Sequence, residues 1–279
     1  MSSALVLEGG GLRAIFSAGV VDCFLEEKIR FDAVYGVSAG ACHGCSFVSG
    51  QHGRAFHAMA DNVGNWRYAS LRSFLLTGDW FGEKYAYHEV PDRLTPFDYE
   101  AFAASRTELH VVTTNCRTGL AEYPVVRDFA RDVDLVRASA SMPLVSRMVP
   151  VNGEFYLDGG IGDSVPAEQA LREGHKKCVV VLTRDASYRK SPNPLMPLVK
   201  LKYRKWPALV RAIGDRHRRY NEELRRIAEL EKAGEIFVIR PESELKIGRL
   251  EKDPEILRAG YELGLETARK ALPALKKYL

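Results

Sequence analysis

Residues 31–40 read FDAVYGVSAG, an apolar run followed by two glycines that frame Ser38. The run predicts a strand, Gly36–Gly40 a sharp turn, and the small residues that follow a helix packed tightly in a layered core. Gly36 and Gly40 allow the strained backbone and close packing that such a turn needs. A serine at this bend has its hydroxyl at the top of the sheet, where a nucleophile is placed. A glycine turn with an idle serine is the alternative, since this short pattern also arises by chance.

A second glycine turn lies upstream, where residues 4–13 read ALVLEGGGLR. Gly9, Gly10 and Gly11 follow an apolar run, which again predicts strand, tight turn and helix. Their backbone N–H groups can stabilise a developing oxyanion. The two turns together predict an acyl-transfer enzyme, most simply a serine esterase or lipase.

The alternation of apolar runs and amphipathic stretches predicts an α/β fold with a mainly parallel central sheet and helices on both faces. The 279 residues, 46% of them hydrophobic, are enough for one large domain. We treat residues 1–279 as a single domain, with a basic helical part at about 200–279 packed on it. Predicted strands are Leu5–Glu8, Ala33–Val37, Leu109–Thr114, Phe155–Asp158, Cys178–Thr183 and Ile236–Arg240; predicted helices are Leu12–Glu27, Ala39–Val48, Pro166–Glu173, Trp206–Ala233 and Pro254–Tyr278.

The composition indicates a reducing compartment. The chain has five cysteines without framework spacing, no apolar run of the roughly 20 residues that span a bilayer, and no leader pattern. We expect a cytoplasmic protein. Cys42 and Cys45 fall in the small-residue helix, where cysteines usually serve as compact buried groups, so we expect no metal and no cofactor.

Two further segments have an unusual composition. Seven aromatic residues fall within 62–90, in a segment of about 62–97 that is either an aromatic helical cap over an acyl channel or ordinary core packing. Residues 200–226 contain ten Lys/Arg and three Asp/Glu, although the whole chain carries only +4. That stretch is either a solvated helix face or a patch for peripheral contact with an anionic membrane at its surface. No nucleic-acid motif accompanies it, so we expect no nucleic-acid partner.

A serine needs a base, and no histidine is well placed to be one. His43, five residues past Ser38, is expected to point away from the turn. The others lie at the amino ends of strands (His110, His175), among arginines (His217), or without an evident acidic partner (His52, His57, His88).

Asp158 is better placed, because it ends a predicted strand and is followed by Gly159 and Gly160. We expect its carboxylate at the carboxyl end of a sheet strand, the same end as Ser38. There it could act as a general base. The alternative is an Asp-Gly turn without chemistry, which is common for this dipeptide.

These motifs, in this order, resemble the patatin-like phospholipase family: GGGLR at 9–13, GVSAG at 36–40 and DGG at 158–160. The resemblance covers roughly residues 4–185. It implies a Ser–Asp dyad without histidine, in which Ser38 is the nucleophile and Asp158 the base. It also implies an oxyanion hole formed by Gly9–Gly11, with Arg13 at the motif's basic position, and a lipid or other acyl ester as substrate.

Two other functions use the same residues. Gly9-x-Gly11-x-x-Ala14 matches a dinucleotide-binding fingerprint, but its acidic residue should follow the second strand and Asp32 precedes it. A lipid-binding protein of the same fold with weak or no activity is the non-enzymatic alternative.

Overall fold

A sheet of nine strands forms the centre of the structure, a computed structural model that describes residues 2–279. Five strands run parallel in the order β3-β2-β1-β8-β9, which confirms the predicted mainly parallel α/β fold. The strands are β1 (Ser3–Leu7), β2 (Ala33–Val37), β3 (Glu108–Asn115), β4 (Ala121–Glu122), β5 (Val125–Val126), β6 (Val149–Val151), β7 (Glu154–Asp158), β8 (Lys177–Val181) and β9 (Ile236–Ile239).

Helices cover both faces of this sheet. They are α1 (Ile15–Glu26), α2 (Ala39–Val48), α3 (Arg54–Ala60), α4 (Leu71–Thr77), α5 (Tyr99–Ala104), α6 (Phe129–Ser139), α7 (Ala167–Arg172), α8 (Met196–Lys202), α9 (Pro207–Lys232) and α10 (Pro254–Tyr278). A π-helical segment, Tyr85–Leu94, lies between α4 and α5.

The two cores follow from the alternation of side chains along the buried strands. Leu5 and Leu7 of β1 pack into the core beneath α1, α2 and α10, whereas Ala4 and Val6 pack into the core beneath α7 and α9. Strands that are apolar on both faces are typical of a parallel sheet covered on both sides. The apolar strands predicted from the sequence therefore agree with a sheet that has helices on both of its faces.

Strand β7 departs from the prediction that its end is the carboxyl end of a parallel strand. It pairs antiparallel with β3 and with β6. The β6–β7 connection is the two-residue turn Asn152-Gly153, in which both residues have positive φ, 49° and 83°. Asn-Gly between two apolar runs is a strong signal for a tight hairpin turn. The Asn152-Gly153 pair is therefore a sequence signal for the antiparallel direction of β7, which was not among the predictions.

The C-terminal part joins the same sheet, because β9 pairs with β8 and α10 lies along α1. The two helices approach at glycines: a Cβ on Gly19 would lie 2.1 Å from the Tyr261 carbonyl oxygen, and one on Gly264 would lie 2.0 Å from that of Phe16. We keep the single domain over residues 1–279 as a proposal that rests on these contacts.

We expect Gly264→Ala to lower the free energy of unfolding by about 2 kcal/mol. The added methyl forces α1 and α10 apart, which outweighs the gain of about 1 kcal/mol in helix propensity. Gly64→Ala is the control, because a Cβ there meets nothing within 4 Å; we expect a change below about 0.5 kcal/mol. Urea unfolding measures both. Equal stability of the two variants would contradict a tight α1–α10 contact.

Candidate active site

Ser38 lies at the sharp bend between β2 and α2, with φ 56° and ψ −124°. A non-glycine residue with such angles is strained and is held there by its surroundings. The surroundings are close: a Cβ on Gly36 would lie 2.5 Å from Ala41 Cα, and one on Gly40 would lie 2.4 Å from the Leu7 carbonyl oxygen. The two glycines therefore let α2 begin directly on the end of β1.

Strand register brings Asp158 to the same edge as Ser38. Val37 pairs with Val112 on β3, and the next residue of β3, Thr113, pairs with Asp158. Ser38 and Asp158 thus flank the same level of β3 from its two sides. The expectation that Asp158 lies at the elbow's end of the sheet was correct, but its reason was wrong, since β7 reaches this edge as an antiparallel strand.

The end of α6 and the loop that follows it contact both Ser38 and Asp158. Ser139 Oγ accepts a hydrogen bond from Ser38 N at 2.8 Å, and the Ser141 carbonyl accepts one from Asp158 N at 2.9 Å. Asp158 Oδ1 accepts a third from Gly160 N at 2.8 Å, which orients the carboxylate over its own turn. This loop fixes the backbones of Ser38 and Asp158 relative to one another.

The glycine-rich loop lies against the elbow. A Cβ on Gly9 would lie 2.9 Å from Ser38 Cβ, and Gly11 has φ 59°, a conformation that favours glycine. Leu12 N donates to the Arg249 carbonyl at 3.1 Å, whereas within residues 2–279 the amides of Gly9, Gly10 and Gly11 have no acceptor. Three backbone donors beside a serine are suited to an oxyanion.

Two cavities meet at Ser38. The larger, about 110 Å³, is mainly apolar and extends from Ser38 between α2, α3 and the 62–97 segment. Its walls from that segment are Tyr68, Phe81, Ala86, Tyr87, Val90 and Pro91. Three of the seven aromatic residues of the prediction line this cavity, and the other four do not: Trp66, Phe74, Trp80 and Tyr85. Both interpretations of the segment therefore apply in part, since Tyr68 and Tyr85 also pack in the hydrophobic core.

The smaller cavity, about 40 Å³, is lined mainly by charged and polar residues, among them both Ser38 and Asp158, and we call it the polar cavity. The structure therefore brings together the predicted nucleophile, the predicted base, the Gly9–Gly11 loop, Arg13 and Gly160. Asp32 is not among them: its carboxylate accepts hydrogen bonds from Ser3 N at 2.7 Å and Ser3 Oγ at 3.1 Å, at the opposite edge of the sheet.

Five cationic side chains surround the polar cavity, and we call them the cationic cluster: Arg13, Arg184, Lys190, Arg216 and Arg249. Burial, followed by repulsion from Arg184, lowers the pKa of Arg13 to about 10. Burial, followed by repulsion from Arg216 and Arg249, lowers the pKa of Lys190 to about 7. Burial also lowers the pKa of Arg216, and the nearby Asp158 partly offsets that effect.

Sequence reasoning missed most of this cluster. Arg216 was counted in the basic stretch 200–226, which predicted a solvated or membrane-facing surface. Lys190 and Arg249 are 59 positions apart in the chain and no motif connects them. Only the tertiary fold places them beside Ser38.

His43 is buried and is among the residues that line the apolar cavity that begins at Ser38. Burial lowers its pKa to about 4, and its Nε2 has no partner in the part of the chain that the structure describes. A neutral ring without a carboxylate partner is a poor base at neutral pH.

His52 and His57 do have acidic partners, contrary to the prediction. His52 Nε2 lies 3.1 Å from Glu26 Oε1, and His57 Nδ1 lies 3.0 Å from Asp61 Oδ2. Both rings are about half exposed, and neither lines a cavity that contains Ser38.

Cys42 and Cys45 line the apolar cavity, where burial raises the pKa of Cys42 to about 11 and also raises that of Cys45. Neutral thiols in an apolar wall act as small hydrophobic groups. Within residues 2–279 we find no cluster of three or more His, Cys, Asp or Glu side chains placed to hold a metal ion.

Comparison with known proteins matches two family models to this chain. The model described as patatin-like phospholipase covers residues 5–171, and a model described as a domain of unknown function, DUF6363, covers residues 206–279. The chain is 32% identical over 193 residues to the uncharacterized protein YjjU of Escherichia coli (strain K12). It is 28% identical over 189 residues to lysophospholipase NTE1 of Eremothecium gossypii.

The match to YjjU covers 64% of this chain and 51% of that protein, and the match to NTE1 covers 63% and 12%. The chain therefore aligns with about half or less of these relatives' lengths. The crystal structure of VipD from Legionella pneumophila superimposes with a TM-score of 0.48 at 11% identity, over 98% of this chain and 67% of that one. By the family model that covers more than half of its length, this chain belongs to the patatin-like phospholipase family, a family of lipid ester hydrolases.

Proposed function

We propose that this protein is a serine acyl hydrolase that cleaves carboxylic esters of lipids through a Ser38–Asp158 dyad. One observation carries the proposal. Ser38, strained at its bend, lines both an apolar cavity suited to an acyl chain and a polar cavity that contains Asp158 and the Gly9–Gly11 loop. An ester that places its acyl chain in the first cavity has its carbonyl at Ser38.

The first half-reaction forms an acyl-enzyme. Ser38 Oγ attacks the ester carbonyl carbon while Asp158 takes the hydroxyl proton, and the carbonyl oxygen becomes an oxyanion facing the amides of Gly9–Gly11. The C–O bond to the alcohol then breaks, and the proton on Asp158 passes to the departing alkoxide. The first product, an alcohol or a lysolipid, therefore leaves with its hydroxyl group protonated.

The second half-reaction hydrolyses the acyl-enzyme and regenerates the free enzyme. Asp158 takes a proton from water, the hydroxide attacks the acyl carbon, and Ser38 Oγ leaves with the proton. The fatty acid is the second product. No residue in this cycle needs a metal or a cofactor.

Membrane contact is a second part of the proposal, and the pairing of the basic side chains supports α8 and the turn after it as its site. Much of the basic charge in 200–226 is engaged within the protein: Arg225 pairs with Glu222 and Glu229, and Arg219 donates to two backbone carbonyls. Lys200, Arg204 and Lys205, at and after α8, form no salt bridge within the described chain and are exposed. The membrane patch therefore shifts to α8 and the turn after it.

Exposed leucines lie beside these cations. We call them the leucine surface: Leu71, Leu75, Leu76, Leu195, Leu198 and Leu201, from α4 and the start and body of α8. The residues after α4 and the end of α8 contact one loop, since Trp80 N donates to the Val145 carbonyl and Lys202 Nζ donates to the Leu144 carbonyl. Met142, two residues before this loop, lines both cavities at Ser38.

Exposed leucines rimmed by cations suit the surface of an anionic bilayer. None of the helices that the structure describes has the length and hydropathy to span a lipid bilayer. We propose peripheral contact through the leucine surface and keep a cytoplasmic location as a prediction.

Ser38→Ala and Asp158→Asn should each lower kcat/KM for p-nitrophenyl esters and lysophospholipids by about 10³-fold or more, because each removes half of the dyad. A fluorophosphonate probe should label the wild-type protein at Ser38. Matched controls are Ser191→Ala and Asp61→Asn, whose side chains are exposed and lie outside both cavities; we expect wild-type rates from both.

Unchanged turnover in Ser38→Ala would overturn the proposal. A folded wild-type protein that binds fatty acid but neither turns over esters nor reacts with the probe would favour the lipid-binding alternative. Activity confined to short soluble esters would make the protein an esterase rather than a phospholipase.

The double variant Leu75→Ser/Leu76→Ser should bind about tenfold or more weakly to vesicles of phosphatidylglycerol and phosphatidylcholine, since each leucine loses apolar burial in the interface. Leu75 and Leu76 are 74% and 67% exposed, so the fold should tolerate the change. Leu263→Ser, on α10, is the control and should bind as the wild type does. Vesicle co-sedimentation is the measurement, and equal binding by all three proteins would exclude the leucine surface as the contact.

A further inference from the structure

We infer that the polar cavity is a binding site for a phosphate-type anion carried by the alcohol part of the substrate, and that the C-terminal segment supplies most of it. The inference rests on the proposed hydrolase function. It assigns a role to residues beyond the patatin-matched segment 5–171, including part of the 206–279 segment whose family model has no known function. Four members of the cationic cluster, all except Arg13, lie beyond residue 171.

The charges in the cavity wall do not balance. Five cationic side chains face two carboxylates, those of Glu8 and Asp158. Glu8 is already engaged: its Oε1 accepts from Tyr220 Oη at 2.6 Å, and its Oε2 accepts from Thr183 N at 2.6 Å and Thr183 Oγ1 at 3.0 Å. The Glu8 carboxylate is thus held by neutral donors and forms no ion pair with a described arginine.

Most of the cationic cluster has no anionic partner. Arg184 forms a salt bridge with Glu244 at 3.2 Å, but Arg13, Lys190, Arg216 and Arg249 form none with any residue of 2–279. Arg13 is 5% exposed, and its Nε, like that of Arg216, is buried without a hydrogen-bond partner in the described chain. Burying a charge without a partner is costly, so the buried Arg13 and the partly buried Lys190 and Arg216 indicate a site for an anion, and the exposed Arg249 lies at its rim.

Apart from the Arg184–Glu244 salt bridge, aromatic and backbone contacts hold the cluster in place. Lys190 Nζ lies 4.6 Å from the centre of the Tyr220 ring, and Arg184 lies over Tyr188 at 4.1 Å. The backbone of Arg249 packs on Gly11, where a Cβ would lie 2.6 Å from its carbonyl oxygen. These contacts position the cations and leave their charge free for a ligand.

The size and chemistry of the cavity suit a tetrahedral oxyanion. Its volume of about 40 Å³ holds roughly three water molecules. Guanidinium groups donate in a planar fork that matches phosphate oxygens, and several of them together recognise a phosphate. The Arg216 guanidinium lies against the Asp158–Gly160 turn, with Nη2 2.7 Å from the position of a Gly160 Cβ. The positive charge of Arg216 therefore reduces the repulsion between the bound anion and the Asp158 carboxylate.

The position of the two cavities relative to Ser38 indicates the class of substrate. The acyl chain occupies the apolar cavity on one side of Ser38, so the leaving alcohol points into the polar cavity on the other side. An alcohol that carries a phosphate on the same glycerol backbone as the ester would place that phosphate in the cationic cluster. Glycerol esters that carry a phosphate, such as lysophosphatidate, have this arrangement.

Binding can be tested without turnover, in the full-length Ser38→Ala protein. Titration calorimetry with glycerol 3-phosphate and with inorganic phosphate should show binding, and glycerol should show none. Arg249→Gln and Lys190→Gln should each weaken glycerol 3-phosphate binding by about tenfold or more, the loss of one charge-assisted contact. Arg211→Gln, on the exposed face of α9 and outside both cavities, is the matched control and should bind as the parent does.

A second arm distinguishes a lipid headgroup from a free anion. The ratio of kcat/KM for lysophosphatidate to that for a monoacylglycerol of the same chain should exceed about ten, and Arg249→Gln should reduce this ratio about tenfold. Binding of free phosphate without preference for lysophosphatidate would overturn the headgroup assignment. Labelling of Ser38 by a fluorophosphonate with no anion binding would overturn the site and leave the hydrolase proposal standing. Anion binding without labelling or turnover would count against the hydrolase alone.

Discussion

Backbone-to-backbone contact around Ser38 is the constraint on which the rest of the structure depends. At Gly36, Gly40 and Gly9, an added Cβ would lie within 3 Å of Ala41 Cα, the Leu7 carbonyl oxygen and Ser38 Cβ, respectively. Such a side chain would push α2 away from β1 or move the glycine-rich loop away from Ser38. The glycines that let the first layer of helices pack on the sheet are therefore also the ones that assemble the candidate site.

The surroundings of Ser38 are divided by polarity, and the division follows the chain. The segment matched to the patatin-like family supplies the elbow, the Gly9–Gly11 loop, Asp158 and the apolar wall. The remainder supplies most of the cationic wall, and Tyr220 on α9 donates a hydrogen bond to Glu8, which follows β1. In our proposal the first part carries the chemistry that members of the family share, and the second selects the alcohol.

Much of the fold could be predicted from the sequence, because its strands and helices have strong local signals. The apolar runs of β1, β2, β3 and β8 lie in the centre of the sheet, and glycines mark both turns. The direction of β7 depended on the Asn152-Gly153 turn, a local signal that was overlooked. Motif order also led to Ser38, Asp158 and the oxyanion loop, which the structure places around one cavity.

The cationic wall could not be predicted in this way. Arg13 stands out because it is the basic residue of the glycine-rich motif, but Lys190, Arg216 and Arg249 come from three other parts of the chain, and each resembles an ordinary surface cation in sequence. Their shared position follows from tertiary packing, which single-sequence patterns do not encode.

The energetics of the cationic wall favour a ligand over a structural role. A buried ion pair can be neutral for stability, but a buried cation without a partner destabilises the fold. Arg13, Lys190 and Arg216 have lowered pKa values, caused first by burial, so the folded protein disfavours their charged forms. Charged residues in these positions are explained if an anion in the cavity compensates them, and a loss of stability of this kind is characteristic of functional sites.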